Sequence, residues 1–121
     1  MTNAAVYIRW GRQIPGREGK SLEVFSQAVE YYGSLKSKGT LSDFRVYFAT
    51  NGNLADFGGF MLLEGEVSKL RTVVDGEEYQ SLMVKAHLVV DQLDIVHLST
   101  GDEIQKTLGR GIDARKQLGI G

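Results

Sequence analysis

The sequence predicts an α+β domain with the element order βαββαβ, in which a four-stranded antiparallel sheet carries its helices on one face. Four segments are predicted as strands, the first two because their apolar residues recur with the period of two that is typical of strands. Apolar spacings of three and four, typical of helices, fall between the first and second strands and between the third and fourth. With 121 residues, 42% of them hydrophobic, the chain suits a single domain.

The first strand and the first helix are separated by a short turn. Val6, Ile8 and Trp10 alternate with polar or mixed neighbours, which predicts a strand. From residue 17 the apolar spacing becomes helical, and the predicted helix ends near Gly39. Its apolar stripe consists of Leu22, Phe25, Ala28, Val29 and Tyr32.

The next two segments predict a β-hairpin. Residues 44–49 alternate with period two, and Asn51-Gly52-Asn53 favours a turn because Asn and Gly adopt positive φ at low cost. Residues 58–64 are apolar on both alternating faces, which predicts a central strand that is covered on both sides.

The second crossover is predicted as two helical pieces interrupted at Asp75-Gly76, and the last strand as residues 91–98. Thr100 and Glu103 have the spacing of a capping box, which predicts a C-terminal helix. We therefore expect one α+β unit over residues 1–100 and a helical extension of the same domain over residues 101–121.

This element order is that of ferredoxin-like domains, and residues 6–99 resemble the dimeric α/β-barrel superfamily. The resemblance rests on the strand order, on the broken helix before Glu77-Glu78-Tyr79 and on the Gly58-Gly59-Phe60 strand that ends in an acid. It implies a homodimer in which two open sheet faces form a shared barrel. The superfamily includes cofactor-independent monooxygenases, haem-degrading enzymes, lactone isomerases and proteins of unknown role, so the resemblance selects no chemistry.

No cofactor and no metal site are expected. The stretch that contains His87 resembles the helix that supplies the axial histidine in haem-degrading members. Those members also use an asparagine of the first strand and a tryptophan of the third, whereas this chain has Arg9 on the first strand and its one tryptophan, Trp10, beside it. The chain has no cysteine, which excludes thiolate ligands and thiolate catalysis.

Candidate ligand-binding residues lie on the strand positions that alternate with the predicted core. If Val6 and Ile8 face the helices, the opposite face receives two phenols, two guanidiniums and a carboxylate, which together can orient a small anionic or aromatic ligand. These candidates are Tyr7, Arg9, Arg45, Tyr47 and Glu64. The alternative is that Arg9 pairs with Glu64 across the strands and that Arg45 lies on a wet edge or in the dimer interface.

His97 is a further ligand-binding candidate and the one candidate for a catalytic residue. Its imidazole can act as a base near neutral pH. It shares a strand face with Leu93 and Ile95, whereas Asp94 points to the opposite face, so no carboxylate is assigned to orient it.

These observations favour a homodimeric protein that binds a small organic ligand in the barrel. The alternative is a cofactor-independent monooxygenase or isomerase that acts on a small aromatic or polyketide-like substrate. A net charge of −1 and the lack of a long apolar run indicate neither nucleic acid nor membrane as a partner. The absence of cysteine and of a signal-like N-terminus favours a cytoplasmic location.

Overall fold

The structure, a computed structural model, describes residues 2–120; Met1 and Gly121, the outer limits of the predicted domain, lie outside the described residues. The strands are β1 (Ala4–Trp10), β2 (Asp43–Phe48), β3 (Gly59–Gly65) and β4 (Asp94–Ser99). The helices are α1 (Glu18–Ser37), α2 (Val67–Asp75), α3 (Glu77–His87) and α4 (Asp102–Leu118). The strands form one antiparallel sheet in the order β2-β3-β1-β4, which confirms the predicted ferredoxin-like α+β fold with an additional C-terminal helix.

One face of the sheet packs against the helices. Residues directly opposite each other in antiparallel strands share a face, and Val6 lies opposite Leu63 while Ile8 lies opposite Met61. All four are buried in the core, together with Tyr32 of α1, whose exposed fraction is 0%. The alternation of Val6 and Ile8 with polar residues therefore identified the helix-facing side of β1.

Two glycines at the start of β3 allow a close approach of three chain segments. A Cβ at Gly58 would overlap the carbonyl oxygen of Gly11, and one at Gly59 would overlap the carbonyl oxygen of Tyr47. The indole of Trp10 packs across the same two positions. Only a residue without a side chain fits here, because the nearest atoms belong to rigid backbone.

The last strand begins later than predicted. It starts at Asp94 rather than at residue 91, because Gln92 adopts a left-handed backbone with φ of 60°. Before this turn, the N–H of Gly11 donates to the carbonyl oxygen of Asp91 at 2.7 Å, and the N–H of Asp91 donates to that of Arg12 at 2.8 Å. These hydrogen bonds hold the segment against the loop after β1 instead of within the sheet.

The predicted capping box of the C-terminal helix is wrong. Gly101, with φ of 56°, precedes α4, and the helix has no side-chain cap. Glu103 pairs with Lys106 at 3.0 Å instead of reaching back to Thr100. The helix nevertheless continues to Leu118 without interruption.

Candidate functional site

The sheet face that carries no helix, here called the open face, holds five of the six predicted site residues. Tyr7 lies opposite Leu62, and Arg9 and Tyr47 both lie opposite Phe60 on the two sides of β3. The five residues are Tyr7, Arg9, Arg45, Tyr47 and Glu64, as the alternation of β1 and β2 predicted. Their role in ligand binding stays a prediction.

Aromatic side chains cover the middle of the open face. The ring of Phe60 is stacked on Tyr47, with centroids 4.9 Å apart and an interplanar angle of 26°. Tyr7 packs on the other side of Phe60 at 5.0 Å, and Phe57 lies 6.2 Å away. These rings pack against one another and form an apolar platform rather than a pocket.

Arg9 is held by the loop that precedes β3. Its guanidinium lies 5.0 Å from the ring centroid of Phe57, and Nη2 donates a hydrogen bond of 2.8 Å to the carbonyl oxygen of Asp56. The alternative ion pair with Glu64 is not formed. Glu64 lies opposite Ala5, four residues and therefore about 13 Å along the strand from Arg9.

The positive charge of Arg45 is balanced by carboxylates of its own sheet. It forms an ion pair with Glu64, and its Nε lies 3.5 Å from Asp43 Oδ2. The hydrogen bond with Glu64 raises the pKa of the Arg45 guanidinium, and a hydrogen bond from Lys36 lowers the pKa of Asp43. The charge of Arg45 is therefore already balanced, which leaves little attraction for an anionic ligand.

His97 does not join the other predicted site residues. It lies opposite Val6, so its side chain is on the helix-facing side of β4, whereas Arg9 and Tyr47 are on the open face. It lines a cleft next to α2 and α4. The sheet itself separates His97 from the open face, and one chain cannot bring these residues into a common site.

A cavity of about 480 Å³ lies on the helix side, between the sheet, α1 and α3. Its walls are apolar apart from Gln13 and Ser21. Leu22 and Phe48 line it and are themselves 62% and 60% exposed, so the cavity opens to solvent beside them. The principal apolar lining residues are Ile8, Trp10, Phe25, Ala28, Met61, Leu82, Met83 and Ala86.

Three aromatic rings form part of the cavity wall. Trp10 lies 6.2 Å from Phe25 and 6.1 Å from Phe48, in both cases edge to face, and Phe25 lies 5.2 Å from Phe48. The apolar periodicity predicted a filled core at these positions, and it did not reveal the cavity. The available signal was the presence of small residues, Gly11 and Ala28, among large rings on a face assigned to the core.

The described part of the chain contains neither a metal-binding group of side chains nor a membrane-spanning helix. Among residues 2–120, no three His, Asp or Glu side chains are grouped so as to hold a metal ion. No helix within the same range has the length and apolar character that crossing a membrane requires.

No protein-family model and no curated protein matches this sequence. Solved structures share its fold. A dimeric protein of unknown function with a ferredoxin-like fold from Bacteroides fragilis is 10% identical, with a TM-score of 0.59 over 80% of this chain and 95% of that chain. A DABB family protein with a ferredoxin-like fold from Mesorhizobium loti is 6% identical, with a TM-score of 0.59 over 79% and 95% of the two chains.

This chain has the fold of the ferredoxin-like dimeric α/β-barrel proteins. A candidate antibiotic biosynthesis monooxygenase from Deinococcus radiodurans is also similar, at 10% identity and a TM-score of 0.59 over 82% of this chain and 92% of that chain. Identities this low show the ferredoxin-like fold alone. The similarity to these solved structures confirms the resemblance that the strand order and the broken second crossover helix predicted.

Proposed function

We propose that this protein binds a small, largely apolar organic molecule in the cavity between the sheet, α1 and α3. The observation that carries the proposal is the lining of that cavity, which is apolar and aromatic almost throughout. Ligand pockets measure roughly 300 to 1,000 Å³ and are lined mainly by hydrophobic and aromatic side chains. At about 480 Å³ and with aromatic walls, the cavity has the dimensions and the chemistry of a ligand pocket.

We further propose that the open face pairs with the open face of a second copy to form a homodimer. Tyr47, Val96 and Leu98 lie on this face and are 46%, 36% and 41% exposed. Contiguous exposed apolar surface of this kind marks an interaction site. The similar protein from Bacteroides fragilis is described as dimeric, which supports the same assembly for this chain.

The alternative function is a cofactor-independent monooxygenase or isomerase that acts on a small aromatic molecule in the same cavity. The description of the Deinococcus radiodurans protein favours it. Binding alone has the stronger support, because the described side chains that line the cavity include no acidic, basic or phenolic group to transfer a proton. The cytoplasmic location stays a prediction.

A fluorescence titration with N-phenyl-1-naphthylamine, a neutral apolar dye, tests the proposed function. We expect saturable binding by the native protein. Ala28 is buried and lines the cavity, so Ala28→Leu should fill part of it and weaken the affinity for the dye about tenfold or more. Ala114 lies on the exposed surface of α4, and the matched variant Ala114→Leu should bind like the native protein.

Thermal melts of both variants accompany the titration, since added volume in a core can be destabilising. The proposal is overturned if the native protein shows no saturable binding. It is equally overturned if a cooperatively folded Ala28→Leu variant binds the dye as tightly as Ala114→Leu does.

A further inference from the structure

A serine is buried in the wall of the apolar cavity. Ser21 is the fourth residue of α1 and is 6% exposed, and it lines the cavity together with apolar residues. The other polar side chain in the lining, Gln13, is exposed to solvent. Within the described lining, Ser21 is therefore the buried polar side chain that a ligand inside the cavity meets.

The hydroxyl of Ser21 forms no hydrogen bond with any other residue in the range 2–120. A helical serine or threonine in such surroundings usually donates to a carbonyl oxygen three or four residues earlier. Other helical residues of this chain do so: Ser34, for example, donates to the carbonyl oxygen of Tyr31 at 2.7 Å, and Thr72 to that of Ser68 at 3.1 Å. The Ser21 hydroxyl makes no such hydrogen bond to the preceding turn, and among the described lining residues of α1 it is the one that carries a hydroxyl.

We infer that Ser21 Oγ hydrogen-bonds a single hydroxyl or carbonyl group on an otherwise apolar ligand. The inference rests on the proposed ligand-binding function of the cavity and specifies its ligand class. A serine hydroxyl can donate to a carbonyl or phenol oxygen and can accept from a phenol. A ligand with several polar groups would leave the others without partners among the aromatic and aliphatic walls, which disfavours its binding.

Two probes of nearly equal shape test this inference, 1-naphthol and 1-methylnaphthalene, which differ by a hydroxyl in place of a methyl group. Their dissociation constants are measured by competition with N-phenyl-1-naphthylamine for the native protein, Ser21→Ala and Ser21→Thr. A neutral hydrogen bond corresponds to roughly a 2- to 12-fold change in affinity. We expect Ser21→Ala to lose that factor for 1-naphthol and to keep its affinity for 1-methylnaphthalene, and Ser21→Thr to retain 1-naphthol binding.

The outcomes separate this inference from the function on which it rests. If the native protein binds both probes and Ser21→Ala weakens neither or weakens both equally, the role of Ser21 is overturned while the cavity remains a binding site. If the native protein binds neither probe and does not bind the dye, the proposed function is overturned together with the inference.

Discussion

Tyr32 is the residue whose burial has the clearest energetic consequence. Its side chain is fully buried between Tyr31 and Phe44, with ring centroids 5.4 and 5.5 Å away. Its hydroxyl has no hydrogen-bond partner among the described residues. The ring therefore stabilises the core through packing, while the hydroxyl was removed from water without compensation.

Replacing Tyr32 with phenylalanine should stabilise the protein. The variant keeps the ring contacts and removes a buried hydroxyl without a partner, so the free energy of unfolding should rise by about 1 kcal/mol. Urea denaturation of the native and variant proteins measures the difference. A variant that is less stable than the native protein would show that the hydroxyl has a partner after all.

The same residue predicts a loss of stability in alkaline solution. Burial raises the pKa of Tyr32 far above its ordinary value of 10.0, with smaller contributions from Tyr79 and Tyr31. The unfolded chain releases this proton near pH 10, whereas the folded chain retains it. The free energy of unfolding is therefore unaffected by this group below about pH 10 and falls as the pH rises further. Urea midpoints from about pH 8 to about pH 11 should fall less steeply for Tyr32→Phe than for the native protein; parallel slopes would contradict this assignment.

At the scale of elements, the junction of β1, β2 and β3 depends on the absence of side chains at Gly58 and Gly59. The hairpin was predictable, because alternation and turn residues are local properties of the chain. The close approach of Gly59 to the carbonyl oxygen of Tyr47 and to the indole of Trp10 is not local. It follows from the register that places Phe48 opposite Gly59.

A matched pair of glycine substitutions tests the importance of this junction. Gly59→Ala places a Cβ against backbone and should lower the free energy of unfolding by about 1 to 3 kcal/mol. Gly109 lies inside α4, and a Cβ there would meet no neighbouring atom within 4 Å, so Gly109→Ala should raise the free energy of unfolding by about 0.5 to 1 kcal/mol. Chemical denaturation distinguishes the two; equal effects of the same sign would contradict the packing described for Gly59.

At the scale of the whole molecule, the two faces of the sheet differ in what covers them. The helices cover one face, where the buried core and the cavity lie. The open face exposes an aromatic platform and the side chains of Val96 and Leu98. The positive charge of Arg45 is balanced by its contacts with Glu64 and Asp43, so a second copy can approach this part of the face without like-charge repulsion.

We predict that the protein sediments as a dimer at micromolar concentration, at about twice the chain mass of 13.4 kDa. Val96→Asp should shift the protein toward the monomer, because it buries a carboxylate without a partner in the two-fold interface. Val84 is 63% exposed on α3, and the matched variant Val84→Asp should remain dimeric. A monomeric native protein, or two variants with the same sedimentation behaviour, would overturn pairing through the open face.

The amino-acid sequence by itself determined the order of the elements, the broken crossover between α2 and α3, and the side of β1 that faces the helices. These properties depend on periodicity, turn chemistry and breaker residues, which act over a few neighbouring positions. The prediction of a capping box was wrong, because the backbone at Gly101 turns before the hydroxyl of Thr100 can reach the first turn of α4.

Only the tertiary structure decided where the polar candidates lie and where the chain leaves space. The pairing of His97 with Val6 depends on the register of β4 against β1, and a shift of one residue would exchange the two faces. The partner of Glu64 was decided in the same way, by register rather than by sequence spacing. The cavity beside Trp10, Ala28 and Ser21 exists because of the distance at which α1 and α3 pack on the sheet. Its presence could not be predicted, since apolar residues have the same periodicity whether they fill such a space or line it.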